Sequence, residues 1–243
     1  MENPPPNKLR AIVTGASSGI GKAIVLSFAR AGIDVALVSR SLDKLEAVAE
    51  LASAEGVTAK AYALDLARVD AVKEEIAAIA QDFGGVNILV NNAGMGYTNT
   101  LADTPLDLWQ QVMDLNLNSV FQCVRGILPS MRQNQGGTIV NVASIAASNA
   151  FPEWGAYSVS KAGVVALTKT LALEERPHGI RAIVISPGSV NTPIWDTATV
   201  EADFDRSAML SAETVAQCVL QAVLLPPEAT IESLTVMPSG GAL

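Results

Sequence analysis

Histidine and cysteine are almost missing from this chain. His178 is the one histidine, and Cys123 and Cys218 lie far apart with no neighbour at metal-ligand spacing, so no zinc or other metal site is expected. Positive charge is scarce as well: 16 Lys and Arg stand against 24 Asp and Glu, for a net charge of −8. That balance excludes sequence-independent nucleic-acid binding, which needs a concentrated basic surface. No uncharged apolar run approaches the length of a membrane span. The first residues, Met1-Glu2-Asn3-Pro4-Pro5-Pro6-Asn7-Lys8, carry an acid and three prolines where a signal peptide would carry basic and then apolar residues. The expectation is a cytoplasmic chain with a flexible arm over 1–8 and one folded domain over 9–243.

Aromatics (5%) and charged residues (16%) are few, while Ala, Val, Ile and Leu abound. Such a composition builds a core, and at 243 residues roughly 70–75% of the unfolded surface can be buried. Residues 10–14 form an apolar run ending in the turn Gly15-Ala16-Ser17-Ser18-Gly19-Ile20-Gly21. Helical periodicity follows through Ile20, Ile24 and Phe28 until Gly32, and a second strand runs over 34–39. This is a βαβ unit with parallel strands. The alternation continues: helix 41–55, strand 58–64, helix 69–83, strand 86–91. Thr104-Pro105-Leu106-Asp107 predicts a helix start with a threonine cap, and that long helix is expected to break near Asn116 or Asn118 and resume over 121–131. Strands at 137–142 and 180–185 flank a helix over 156–176. A last helix opens at Ser211 and a last strand spans 233–237. With no linker anywhere, the pattern predicts an α/β, single-domain Rossmann-type fold: a parallel sheet of about seven strands with helices on both faces.

In the first turn, glycine at Gly15 permits a sharp bend, and at Gly19 and Gly21 it lets backbone and helix approach a bulky anion. The following helix aims its amides and positive end at a pyrophosphate. A glycine-rich turn between a first strand and an amphipathic helix points to a dinucleotide, with Ser17 and Ser18 as candidate phosphate donors. The second strand ends in Ser39 and Arg40 with no acid at its tip. An acid would hold a ribose 2′-hydroxyl, whereas a cation suits a 2′-phosphate, so NADP(H) is favoured over NAD. A plain alternative is a solvated Arg40 paired with Asp43. Asp65 and Leu66 end the third strand, where one can accept from adenine and the other pack on it. Asn91-Asn92-Ala93-Gly94 ends the fourth, with small residues suited to a backbone beside the cofactor and Asn91 expected to tie strands together.

Tyr157 and Lys161 are four apart, so on a helix they share one face, and Ser144 precedes them. A phenol holds its proton to about pH 10, and a nearby ammonium favours phenolate, which allows proton exchange nearer neutrality. Spacing alone is also that of an ordinary helix surface.

Together these pieces resemble the short-chain dehydrogenase/reductase family over nearly the whole chain. The residues that carry the resemblance are Thr14–Gly21, Asn91–Gly94, the set Asn116, Ser144, Tyr157 and Lys161, and Pro187-Gly188-Ser189-Val190-Asn191-Thr192. The resemblance implies a dinucleotide-binding catalytic domain that transfers hydride between NADPH and a carbonyl. Tyr157 would be the acid, Ser144 would hold the carbonyl oxygen, and Lys161 would favour tyrosine deprotonation and bind the nicotinamide ribose. Asn116 would hold a water that links the lysine to solvent. Pro187, Gly188, Val190 and Thr192 would cover the nicotinamide.

Substrate walls are expected from Met95-Gly96-Tyr97, 145–154 and 190–209, which offer Ile145, Phe151, Trp154, Ile194 and Trp195 and no arginine clamp. The segment after Thr192 is short, which suggests a compact, open lid. An apolar ketone or 3-oxoacyl compound fits better than a sugar. The closest likeness is to 3-oxoacyl-carrier-protein reductases and related carbonyl reductases, and an acyl-carrier protein stays open as a partner. Against it, Gln135 and His178 stand where that family's basic residues are expected, with Arg132 and Arg176 as nearby substitutes. His178 before Gly179 otherwise reads as a helix C-terminal cap. Relatives are often tetramers, and the stripe of Val120, Val124, Ile127 and Leu128, with 234–237, suits a homotetramer's contacts or an ordinary core. Two other readings remain: an NADP-dependent dehydrogenase of hydroxy acids or amino alcohols, and a dinucleotide-binding sensor or scaffold without turnover.

Overall fold

The computed structural model of the protein describes residues 8–202 and 205–241. The arm expected over 1–8 lies outside them except for Lys8, whose Nζ meets Asp34 Oδ1 at 2.7 Å. Seven strands, β1 (Arg10–Thr14), β2 (Asp34–Ser39), β3 (Ala59–Ala63), β4 (Ile88–Asn91), β5 (Gly137–Val142), β6 (Ile180–Pro187) and β7 (Ser233–Val236), form one sheet. Its order is β3-β2-β1-β4-β5-β6-β7, and every pair is parallel.

The apolar strands are explained by helices on both faces. Ala11 and Val13 of β1 pack with α1 (Gly19–Arg30), α2 (Leu42–Ser53) and α7 (Ala212–Val223), through Ile24, Phe28, Leu45, Val215 and Val219. Between them Ile12 points the other way, into a second core with Ile76 of α3 (Val69–Asp82) and Ile127 and Met131 of α5 (Ser119–Gln133). Each such fully buried Ile, Leu or Phe contributes about 1.5–3 kcal/mol.

Strand order reverses beside β1: β2 lies on one side of it and β4 on the other. Ligands bind parallel α/β sheets at the carboxyl ends of the strands where this reversal opens a crevice. The loops after β1, β2, β4 and β5 therefore converge.

The long helix begins as α4 (Leu106–Met113), and it departs from expectation at its start. Pro105, not Thr104, is the residue before the first turn, with φ −62° and ψ 144°. The Thr104 hydroxyl instead donates to Thr100 O at 2.7 Å, committed to the preceding turn. The expected break is a π-turn over Asp114–Asn118, after which α5 runs on. Ser211 caps α7 by accepting from Thr214 N at 3.1 Å. His178 closes a 3₁₀ turn after α6 (Gly155–Glu175), and Gly179 follows at φ +70°.

Three residues of the stripe offered for subunit contacts face inward, and Leu128 is half-buried. Val120, Val124 and Ile127 are at most 5% exposed and belong to the chain's own cores, while Phe121 is the exposed apolar residue of α5. Among the described residues no helix is long and apolar enough to cross a membrane.

Candidate functional site

A crevice of about 590 Å³ opens at the carboxyl ends of the strands. Its floor on one side is the turn after β1. Gly15 and Gly19 have φ of +65° and +51°, which only glycine adopts without strain. A Cβ on Gly15 would stand 2.9 Å from Ala93 Cα, and one on Gly21 would collide with the Gly15 carbonyl. Gly21 therefore packs beneath the turn, while Gly15, Ser17, Ser18, Gly19 and Ile20 line the crevice. Thr14 ties this turn to the end of β4: its Oγ1 accepts from Asn92 N (3.0 Å) and Ala93 N (3.1 Å), and Asn92 Nδ2 donates to Thr14 O (3.0 Å).

At the end of β2, Ser39, Arg40 and Ser41 line the crevice, and so does Lys44, one helical turn further on. Arg40 makes no ion pair with Asp43 or any other acid among the described residues. Asp65 and Leu66 complete this end, with Asp65 Oδ1 accepting from Ala67 N at 3.1 Å. Asn92, Ala93 and Gly94 run along the middle, and Pro187, Gly188, Val190 and Thr192 form the roof. Ser39 Oγ and Ser189 Oγ are buried without a protein partner among the described residues, and both residues face this space. A cradle only glycine permits, two orphaned hydroxyls and two unpaired cations at one end fit a phosphorylated dinucleotide.

At the other end α6 presents Tyr157 and Lys161 on one face, opposite Ser144 in the loop after β5. The three side chains meet. Lys161 is 5% exposed, its Nζ donates to Val142 O at 2.9 Å and lies 5.8 Å from the centre of the Tyr157 ring. Burial brings the amine down to about 8. Burial also pushes the phenol above its ordinary value, and a hydrogen bond with Ser144 opposes that shift. The Ser144 hydroxyl accepts from Ala146 N at 3.1 Å, which fixes its direction.

Asn116 stands behind these residues, fully buried, and does not line the crevice. Its Oδ1 accepts from Met95 N (2.8 Å), and its Nδ2 donates to Met95 O (3.0 Å) and to Ser160 Oγ (3.1 Å). Ser160 in turn donates to Tyr157 O at 2.7 Å. The side chain thus braces the π-turn to α6 and to the loop after β4. Gly94 makes room for this approach: a Cβ there would lie 3.1 Å from Asn116 Oδ1 and 3.5 Å from Lys161 Nζ. Asn91 binds across the sheet, donating to Asn141 Oδ1 at 2.8 Å, and Asn141 donates on to Thr168 Oγ1 at 2.8 Å.

Ile145, Phe151, Trp154, Ile194 and Trp195 wall the end beside Tyr157, with Met95. Gly96, Tyr97 and Met209 lie outside the lining. Tyr97 is instead 4% exposed in a small core with Val112 and Ala156. The segment after Thr192 is tied to the loop after β4: Thr98 N donates to Thr199 O (2.9 Å), Thr199 Oγ1 to Gly96 O (2.7 Å) and Glu201 N to Thr98 Oγ1 (2.7 Å). Arg132 pairs with the buried Glu175 and Arg176 with Glu232, at 3.5 Å. Both arginines flank the amino ends of β5 and β6, away from the crevice, and so offer no basic collar at its mouth within one chain.

Sequence reasoning missed Lys44 and Ser160. Arg40 and Lys44 are four apart at the start of a helix, which was a usable signal. Ser160 had none, since its partner is 44 residues away.

The model of the short chain dehydrogenase family matches residues 9–202. A 3-oxoacyl-acyl-carrier-protein reductase FabG of Staphylococcus epidermidis is 41% identical over 181 residues, 74% of each chain. A D-beta-hydroxybutyrate dehydrogenase of Rhizobium meliloti is 34% identical, over 93% of this chain and 86% of its own. Among solved structures, an alcohol dehydrogenase from the archaeon Thermococcus sibiricus complexed with 5-hydroxy-NADP superposes with a TM-score of 0.87 at 29% identity, covering 96% of this chain and 97% of that one.

Proposed function

We propose, for a chain that belongs to the short chain dehydrogenase family of oxidoreductases, the NADPH-dependent reduction of a carbonyl group to an alcohol in a neutral apolar ketone or 3-oxoacyl compound. One observation carries this reading: Ser144, Tyr157 and Lys161 meet at one end of a crevice whose other end is a glycine cradle flanked by Arg40 and Lys44. NADPH, when bound, supplies the hydride. Gly15, Ser17, Ser18, Gly19 and Ile20 would hold its pyrophosphate, with Ser39, Arg40 and Lys44 at the 2′-phosphate and Asp65 and Leu66 at the adenine. Asn92, Ala93, Gly94, Pro187, Gly188, Val190 and Thr192 would position the nicotinamide half.

Charge grows on the substrate oxygen as the carbonyl is reduced. Ser144 and Tyr157 are the hydroxyls placed to receive that oxygen, one by hydrogen bond and the other by giving up its proton. Burial raises the phenol, so Tyr157 is protonated at neutral pH, as an acid in the reductive direction must be. Lys161, at about 8, remains mostly an ammonium at pH 7 and stabilises the phenolate left behind. Asn116, through Met95 and Ser160, holds the helix that carries both.

The FabG relative supports 3-oxoacyl substrates and the hydroxybutyrate dehydrogenase supports a hydroxy acid. A free carboxylate needs a cation beside it. Among the described lining residues the charged ones are Arg40, Lys44 and Asp65 at the far end and Lys161 beside Tyr157, where it is 5% exposed and committed to Val142 O. That favours the neutral carbonyl. The test is oxidation of NADPH by a panel of neutral ketones and 3-oxoacyl thioesters, set beside reduction of NADP⁺ by hydroxy acids and amino alcohols. Turnover confined to the hydroxy acids, or absent with every compound while NADPH binds, would reject the proposal.

A further inference from the structure

Three aromatic side chains crowd the substrate end beside the reacting phenol, and they are held there. The Trp154 indole lies 5.3 Å from the Tyr157 ring at 75°, and 5.7 Å from the Trp195 indole at 68°. Both are edge-to-face contacts, the arrangement that aromatic quadrupoles favour. Trp195 is fixed by its indole N–H, which donates to Val190 O at 2.8 Å. Trp154 is fixed by its backbone. Glu153, just before it, has φ +67°, a left-handed conformation that a non-glycine residue keeps only where the surroundings impose it. Here the imposing bond is Asn99 N to Glu153 O, at 2.8 Å. Phe151 adds a third ring to the same wall.

We propose that the Trp154–Trp195 pair makes this a site for neutral, ring-bearing ketones, with Trp195 as the specificity-determining residue. The inference rests on the reductase reading above and narrows it. A carbonyl oxygen placed at the Tyr157 hydroxyl puts its substituents within reach of the indole that touches that ring. An aryl group there continues the edge-to-face series, whereas a flexible acyl chain loses conformational freedom and gains no ring contact. Among the described lining residues the charged side chain at this end is Lys161, which is 5% exposed and donates to Val142 O, so a charged substituent meets no exposed partner there.

The experiment compares an acetophenone-type aryl ketone with a straight-chain 3-oxoacyl thioester of N-acetylcysteamine, in the wild-type protein and in Trp195→Ala, Trp195→Leu and Trp195→Phe. The readout is the ratio of kcat/KM for the two substrates, which cancels any common loss of cofactor binding or hydride transfer. Binding of the aryl ketone to the NADP⁺ complex, by equilibrium dialysis, is measured alongside. The expected result is a wild-type ratio favouring the aryl ketone by about tenfold or more, erased by alanine or leucine and kept by phenylalanine. A wild-type preference for the thioester, or a ratio that alanine and leucine leave unmoved, overturns the proposal while leaving the reductase reading intact. Aryl-ketone binding that depends on Trp195, with no substrate reduced, sinks the reductase reading and sustains the pocket.

Discussion

Lys161 donates to the main-chain carbonyl of Val142 across 2.9 Å, and this bond holds an amine in a place that disfavours its charge. Its pKa falls from 10.5 to about 8 because burial strips the ammonium of water. Between those two values the unfolded chain keeps a proton that the folded chain has released. The folded state therefore gains stability as pH rises from about 8 toward 10.5, and carries the full cost of burial below about 8. The melting temperature of the wild-type protein relative to Lys161→Met should climb across that window. A flat difference would mean that the amine does not titrate there. In ketone reduction the same group should make kcat/KM fall as pH passes about 8.

Tyr157→Phe keeps the ring against Trp154 and removes the hydroxyl. The NADPH dissociation constant should hardly move, while kcat falls by roughly 10²–10⁴-fold, the scale of positioned acid catalysis. Turnover near the wild-type rate would exclude tyrosine as the proton donor.

Ser160→Ala tests the brace behind the site. The hydroxyl accepts from Asn116 and donates to Tyr157 O, so its loss leaves a buried amide N–H without that partner. A cost of about 1–3 kcal/mol in urea unfolding is expected. If the brace positions Tyr157 and Lys161 on α6, kcat should fall by roughly 10–10²-fold with the NADPH dissociation constant unchanged. A variant that loses stability but not kcat would make Ser160 structural only.

The strands, turns and glycine loop were legible because their signals are local. Gly15 and Gly19 need positive φ, strands buried on both faces must be apolar, and Ser211 announces its helix within one turn. What could not be read depends on where helices lie. An apolar stripe such as Val120, Val124 and Ile127 has the same spacing whether it meets its own sheet or another subunit. The Thr104 hydroxyl had two partners within reach, and the one in the preceding turn won. Lys44 enters the crevice only because α2 starts directly at the end of β2, and the edge-to-face series from Tyr157 to Trp195 joins segments nearly forty residues apart.

Cofactor preference should follow the two cations after β2. Arg40→Asp replaces the proposed phosphate partner with a repelling carboxylate and should raise the NADPH dissociation constant by about an order of magnitude or more. Lys44→Ala should give a smaller rise in the same direction. Neither should weaken NADH, which lacks the 2′-phosphate. Fluorescence titration with both nucleotides decides it, and equal losses for the two would remove the phosphate assignment.

Arg181 holds the far side of the sheet to α7. Its guanidinium donates to the carbonyls of Val223 (3.0 Å), Leu225 (2.9 Å), Pro226 (3.3 Å) and Ala229 (2.9 Å), and also to Thr138 Oγ1. These carbonyls lie at and beyond the carboxyl end of α7, where the helix dipole is negative and a cation is favourable. The packing of Val215 and Val219 in the core they share with α1 depends on that helix end staying in place. Arg181→Met keeps the length of the side chain and removes every donor, so a loss of about 2–4 kcal/mol in unfolding free energy is expected. Arg181→Lys should recover only part of it, because an ammonium cannot fork to carbonyls on several sides. The residue belongs to the amino-terminal half of β6, opposite the crevice, so KM for substrate and cofactor should stay unchanged in whatever fraction folds. A lysine variant as stable as the wild-type protein would show that charge alone, and not the planar fork, secures the helix end.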